Sequence, residues 1–177
     1  GNSITTNGTS SDYGIYLQSS ADNNTFFSNN ITTSGTTSYG VYVTGSNGSV
    51  FNRTILTQPV QWIFTGVGTN NTFVNTLFVQ PNATIRFPGA ILFNNSFDVT
   101  LQKLNASFNA TFVNSTNLTV LNTSAQLTFY GLSTSVAHRA IVDYDDAGLY
   151  ANCSAPDCTT VSNSGGTFVV DVAHFTT

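Results

Sequence analysis

Apolar residues along the first eighty positions come in short bursts, never in a long helical period. "NSITTNGTSSDYGIYLQSSADNNTFFSN" is followed by "NITTSGTTSYGVYVTGSNGSVFN", and a weaker third copy reads "TILTQPVQWIFTGVGTNNTFVN". The repeat length, roughly 22–27 residues, falls in the range of solenoid repeats. Each copy holds three bursts separated by Gly, Ser, Asn and Thr. The first burst centres on Ile4, Ile31 or Ile55. The second is Tyr13-x-Ile15-x-Leu17, then Tyr39-x-Val41-x-Val43, then Val60-x-Trp62-x-Phe64. The third centres on Phe26, Val50 or Phe73. Three short strands per turn predict an all-β fold that begins with a short right-handed parallel β-helix of about three coils over residues 1–80.

In such a coil alternate residues point inward, so equivalent positions stack into ladders along the axis. Gly14 and Gly40 stand just before the inward aliphatic, where a strand leaves a tight corner. Corner asparagines tolerate the left-handed conformation and hydrogen-bond neighbouring backbone. Tyr16 and Tyr42 are expected to face outward, one above the other, either as a plain ladder or as a sugar-binding platform. The first coil leaves strand edges and an apolar end open. An upstream segment or another molecule is expected to cover it.

After about Pro81 the repeat fails. "ATIRFPG", "SFDVTLQKL", "ASFNATFVNS", "NLTVL", "AQLTFYGL", "RAIVDY", "TTVSN" and "GTFVVDVAHFTT" alternate apolar and polar residues between turns rich in Asn, Ser and Gly. Seven or eight such strands predict an antiparallel β-sandwich-like domain over residues 81–177, placed to cap the β-helix.

Composition narrows the surroundings. Only 7% of the 177 residues are charged, against the usual quarter. Glu is absent, and Arg53, Arg86, Lys103 and Arg139 are scattered in a chain of net charge -4. Nucleic-acid binding needs clustered Lys and Arg to displace counterions, so it is excluded. Disordered chains are poor in aromatic and β-branched residues, and this one is rich in both. No apolar run is long enough to span a bilayer as a helix. With no Met and no signal peptide, the sequence reads as a processed form or a fragment of something longer.

Asn-x-Ser/Thr occurs at Asn7, Asn23, Asn30, Asn47, Asn52, Asn70, Asn82, Asn94, Asn105, Asn109, Asn114, Asn117, Asn122 and Asn152. Chance at this composition gives about six such triplets, so the excess is more than twofold. One reading is a secreted surface carrying N-linked glycans that substitute for charge. The other is that Asn and Thr share a preference for turns and strand edges. Cys153 and Cys158 bracket "SAPD", a Pro-containing turn. A disulfide pinning that loop is expected, with free thiols the alternative; a metal site would need further soft ligands nearby. Disulfide and glycans agree on an extracellular or cell-surface location.

"NLTVLNTSAQLTFYGL" and then "IVDYDDAGLYANCSAPDCTTVSNSGGTFVVDVAHFTT" carry a resemblance. They look like the terminal β-domain of archaeal surface proteins whose preceding segment is made of NosD-like β-helix repeats. The likeness covers roughly the last sixty residues well and most of the first eighty more generically. It implies a cell-surface location and β architecture, and it implies no reaction. The copper-processing members that give NosD its name call for metal ligands. Here only His138 and His174 are available, with no Met.

Polysaccharide-acting β-helix enzymes place clustered Asp with Lys or Arg on one face. Asp12, Asp22 and Arg53 are too few to assemble that arrangement, and Ser38 stands where Asp12 would recur. Asp143, Asp145 and Asp146 in "DYDDAG", followed by Gly148, read first as a solvated turn and second as a weak calcium site. The twelve-residue loop with its terminal acid is lacking. No other cofactor is implied. The expected function is therefore a non-catalytic, N-glycosylated structural subunit of an archaeal extracellular or cell-surface assembly, filament or surface layer. It would self-associate into a homopolymer or lattice through open β-helix ends or strand addition. A carbohydrate- or cell-binding adhesin is the alternative, and a polysaccharide enzyme the weakest reading.

Overall fold

The computed structural model describes residues 1–57, 61–67, 69–143 and 148–175. Within them the chain is all-β, in four sheets that mix parallel and antiparallel pairing. The first three laps of chain give β1 (Ser3–Thr6), β2 (Ile15–Gln18), β3 (Thr25–Phe27), β4 (Asn30–Thr33), β5 (Tyr39–Thr44), β6 (Val50–Asn52), β7 (Ile55–Thr57), β8 (Gln61–Thr65) and β9 (Asn71–Gln80). Each lap pairs in parallel with the next along three ladders. The first aligns Ile4 with Ile31, Leu56 and Phe78. The second aligns Ile15 with Val41 and Ile63. The third aligns Phe26 with Phe51 and Phe73.

Three expected ladder positions are displaced by one residue. Leu56, Phe51 and Ile63 occupy the inward columns where Ile55, Val50 and Trp62 were expected, and Phe64 faces outward. Val60 lies outside the described residues. Left-handed corners explain the first two shifts. Ser28 (φ 55°), Arg53 (φ 56°) and Asn75 (φ 52°) follow the third ladder at matching positions, and the next residues, Asn29, Thr54 and Thr76, are buried. Left-handed non-glycine residues cost on the order of 1 kcal/mol each. Inter-lap bonds offset this, Ser28 N–H to Asn52 O at 2.8 Å and Arg53 N–H to Val74 O at 2.9 Å.

Gly14 and Gly40 are required for close approach. A Cβ on Gly14 would lie 2.2 Å from Ile31 Cγ2, and one on Gly40 would lie 2.6 Å from Leu56 Cδ2. In the third lap the same column position holds Trp62, fully buried. Its indole N–H donates to Leu104 O at 2.8 Å, tying the parallel laps to the segment beyond.

Pairing polarity changes between Gln80 and Ala83. β9 crosses the Asn75 corner, so its first half pairs with β6 and its second with β7. β10 (Ala83–Phe93) then runs back along β9 antiparallel, with an irregularity between Phe87 and Ala90 where Pro88 sits. Proline cannot donate to a ladder, so a break in register there is its tolerated place. β11 (Phe97–Thr100) lies antiparallel on β8. β12 (Leu104–Ala106) and β13 (Thr111–Val113) form a small hairpin. The expected strand "NLTVL" is instead a 3-10 turn at Thr119–Leu121, because Leu118 and Leu121, three apart, are both buried. β14 (Ala125–Phe129), β15 (Ile141–Val142), β16 (Ala151–Asn152), β17 (Cys158–Ser164) and β18 (Thr167–Val172) complete the chain. β10, β14, β18 and β17 continue the first ladder's sheet antiparallel, giving ten strands with β1 and β17 at the two ends of the main order and β3 a further edge beside β6. Buried side chains from Ile15 to Val172 form one contiguous core.

Candidate functional site

The outer face of the β2–β5–β8–β11 sheet carries the densest exposed chemistry. Tyr16, Tyr42, Phe64 and Asp98 occupy one outward column in register, and Tyr39 and Gln61 a second, which continues to Thr100, itself buried. Tyr13 precedes β2 and joins the group. The repeated Tyr-Gly-aliphatic-Tyr phrase thus sends both tyrosines outward, whereas Tyr13 and Tyr39 were expected to alternate inward with the aliphatics. Glycine and the following aliphatic both turn to the core, so the alternation breaks at the corner.

Stacking uses up most of these ring faces. Tyr42 lies 4.6 Å from Tyr13 (29° between planes) and 4.5 Å from Phe64 (13°). Tyr16, 48% exposed, meets Tyr42 at 5.5 Å and 64°, and is the most open ring of the group. Of the two tyrosines expected to present a platform, Tyr16 is the accessible one.

At the closing end of the face, Tyr39 donates its hydroxyl to Asp98 Oδ1 at 2.7 Å, and Lys103 Nζ donates to Asp98 O at 2.9 Å. Burial pushes the Tyr39 hydroxyl well above the usual tyrosine range, and the hydrogen bond and negative charge of Asp98 add to the shift. Tyr42 is raised by burial first and by neighbouring Tyr13 and Tyr16 next. Asp98 and Lys103 carried no recognisable motif in the sequence. The signal that could have found Asp98 is its place as the next outward residue beyond Phe64, visible only once β11 is known to reverse.

Of the two coil carboxylates, Asp22 takes a structural role: its Oδ1 accepts the Asn47 N–H at 2.7 Å. At Asp12 the backbone N–H donates to Ser38 Oγ at 3.0 Å, while Oδ2 is buried with no hydrogen-bond partner among the described residues. Arg53 sits over the Phe27 ring, 5.3 Å from its centroid. Cation–π contacts of this exposed kind contribute about 0.5–1 kcal/mol. Asp143 Oδ2 accepts the Gly148 N–H at 2.8 Å; Asp145 and Asp146 lie outside the described residues. Among the described residues no group of three His, Cys, Asp or Glu side chains could hold a metal ion. A shallow depression of about 300 Å³ is lined by Ser133, Val136, His138, Asn163 and Gly166, with His138 Nε2 2.8 Å from Ser133 O.

Cys153 and Cys158 form a disulfide. None of the fourteen sequon asparagines is buried; Asn52, Asn105 and Asn114 are half-buried and the others exposed. The two buried asparagines, Asn29 and Asn71, both lie outside sequons, but Asn2, Asn24, Asn75, Asn95 and Asn163, also outside sequons, are not buried. No helix of the described residues is long and apolar enough to cross a membrane. No known protein family matches the chain, and neither a curated protein nor a solved structure is significantly similar to it.

Proposed function

We propose that this chain is a non-catalytic structural subunit of an extracellular or cell-surface assembly of the archaeal type, N-glycosylated and joined to its neighbours by strand addition. In this reading the parallel laps are a short right-handed β-helix of NosD-like repeats, and the antiparallel strands after residue 80 are a sandwich-like closing domain. The observation that carries it is the pair of uncharged outer strands, β1 and β17, at opposite ends of one ten-stranded sheet. Natural sheets usually protect such edges with Lys, Pro or inward charge. Here β1 reads SITT and β17 reads CTTVSNS, with one irregularity beside Val161 as the only such device in either strand. An edge pairing between different strands of two copies is heterologous and propagates. The disulfide supports an oxidising location.

Val161→Lys tests the joint, because Val161 is 54% exposed on the outer strand and a lysine there costs the fold little. Imaging of native material should show filaments or a lattice, and the variant should give unassembled chains with an unchanged melting temperature. Monomeric native protein at high concentration would defeat the proposal.

A second reading, a carbohydrate-binding adhesin, is favoured by the tyrosine face, with Tyr16 half-exposed on one outer strand and Asp98 on the opposite outer strand of the sheet. Tyr and Trp rings are common sugar- and partner-facing groups because they combine an apolar body with a polar tip. Glycan binding that is lost in Tyr16→Ala supports it; a glycan array without hits removes it.

A further inference from the structure

Asn2, Asn24, Asn71 and Asn163 donate through Nδ2, to Asn29 Oδ1, Ala21 O, Ser46 O and His138 O, whereas Asn75 and Asn95 accept through Oδ1, from Arg86 Nε and the Ser96 N–H. Asn47 is of the second kind. Its Oδ1 accepts the Asn70 N–H of the next lap at 3.0 Å, while its own N–H donates to Asp22 Oδ1 of the previous lap at 2.7 Å. Both neighbours hold the residue and neither engages Nδ2, which is left at an exposed corner.

The corner repeats along the stack. Asn23 N–H donates to Asn47 O at 2.8 Å, and Gly48 N–H to Asn70 O at 2.6 Å, so sequon asparagines stand on three successive laps at one corner. Gly48 makes this possible twice over. It takes a left-handed φ of 69°, and a Cβ there would lie 2.3 Å from Asn23 Oδ1. The Asn23 carboxamide therefore lies with its oxygen against the Gly48 backbone. Adjacent strands are about 4.8 Å apart, so substituents on neighbouring laps would lie side by side along this flank.

We propose that this corner is a glycan-bearing flank, with Asn47 placed so that the folded protein carries its sugar outward. The inference rests on the extracellular, glycosylated reading above and adds which sites carry the sugar. The donor is a saccharide activated as a phosphate or diphosphate ester. Asn47 Nδ2 attacks its anomeric carbon, the new C–N bond replaces the C–O bond to phosphate, the phosphate leaves with the electron pair, and Nδ2 gives one proton to a base. Ser49, the sequon hydroxyl, is fully buried and its Oγ accepts the Asn24 N–H at 3.3 Å. Transfer therefore precedes closure of the second lap, and folding then fixes the sugar outward.

The test is glycopeptide mass spectrometry on protein purified from its native source, with Asn47→Gln made in the same host. Asn47 should carry a saccharide in most molecules, and the variant should lose that mass increment. An unmodified Asn47, or an increment retained in the variant, would each overturn the inference. Imaging the same preparation separates the two proposals. Bare Asn47 in an intact assembly removes only the glycan flank, and glycosylated monomers remove only the strand-addition joint.

Discussion

The Tyr39 hydroxyl reaches the Asp98 carboxylate at 2.7 Å across 59 residues of sequence, linking the second lap to the strand that reverses over the third. With the Trp62 indole bond to Leu104 O, it is one of the polar fastenings between the parallel laps and the antiparallel closure, on a face otherwise built of stacked rings. Its effect on stability follows from the raised Tyr39 pKa. The folded state favours the neutral phenol, first because of burial and then because Asp98 accepts its hydrogen bond and adds negative charge.

Stability from this group is fully present below the ordinary tyrosine pKa of about 10 and is lost as pH rises above it, since the unfolded chain ionises first. Tyr39→Phe should cost about 1 kcal/mol at neutral pH, the net worth of a partly exposed hydrogen bond. It should also flatten the decline in melting temperature above pH 10. A variant with the wild-type alkaline decline would show that Tyr39 does not carry it.

Gly14 and Gly40 should resist even alanine. At Gly14 the new methyl would meet backbone, Gly40 O at 2.7 Å, as well as Ile31. At Gly40 it would meet the movable Leu56 side chain first, with Trp62 O at 3.1 Å. Overpacking of this kind costs about 1–3 kcal/mol, and Gly14→Ala should lie at the upper end. Gly89, with nothing within 4 Å of its would-be Cβ, is the control and should be nearly neutral. Denaturant midpoints for the three variants decide it; equal effects at all three would contradict the close-approach argument.

The phenylalanine stack predicts a gradient along the axis. Phe51 lies between Phe26 and Phe73, at 4.8 and 4.5 Å and within 9° of parallel, and is fully buried. Phe26, in the first lap, is only partly buried. Phe51→Ala should cost about 3–5 kcal/mol, as for other buried phenylalanines, and Phe26→Ala less than half as much. Assembled material should narrow the gap if a neighbour's strands cover the first lap.

Much of this was readable from residues, and the misreadings share a cause. Tyr16 and Tyr42 were legible as an outward column because "GIYLQ" and "GVYVT" alternate cleanly. The third copy offers apolar pairs instead, Ile55-Leu56 and Trp62-Ile63, as the second copy does at Val50-Phe51. Either member of a pair can face the core, and a slip of one residue swaps the faces. The arbiter is the left-handed corner at Ser28, Arg53 and Asn75, and an arginine there gives no turn signal. Asp98 and Lys103 were invisible for a different reason. They reach the tyrosine face through antiparallel pairing of β11 with β8, a long-range choice that no local pattern encodes.

The Asp-rich turn should not respond to chelation. Asp143 Oδ2 accepts the Gly148 N–H at 2.8 Å, so one of its carboxylate oxygens is already engaged by the protein. A chelator should leave the melting temperature unchanged. A drop reversed by added calcium would establish the metal site that Asp143, Asp145 and Asp146 suggest in the sequence.

The Cys153–Cys158 bridge should matter locally. It closes the loop between β16 and β17, where Cys153 N–H also bonds Ala140 O at 3.1 Å and Asp157 O accepts the Ala173 N–H at 2.8 Å. Closing so short a loop restricts the unfolded chain modestly, by about 2 kcal/mol. The β17–β18 ladder from Cys158 to Ser164 does not depend on the bridge. Cys153→Ser with Cys158→Ser should therefore speed hydrogen exchange in the β15–β16 hairpin while the laps around Phe51 stay protected. Uniform loss of protection across the laps would mean instead that the bridge supports the whole fold.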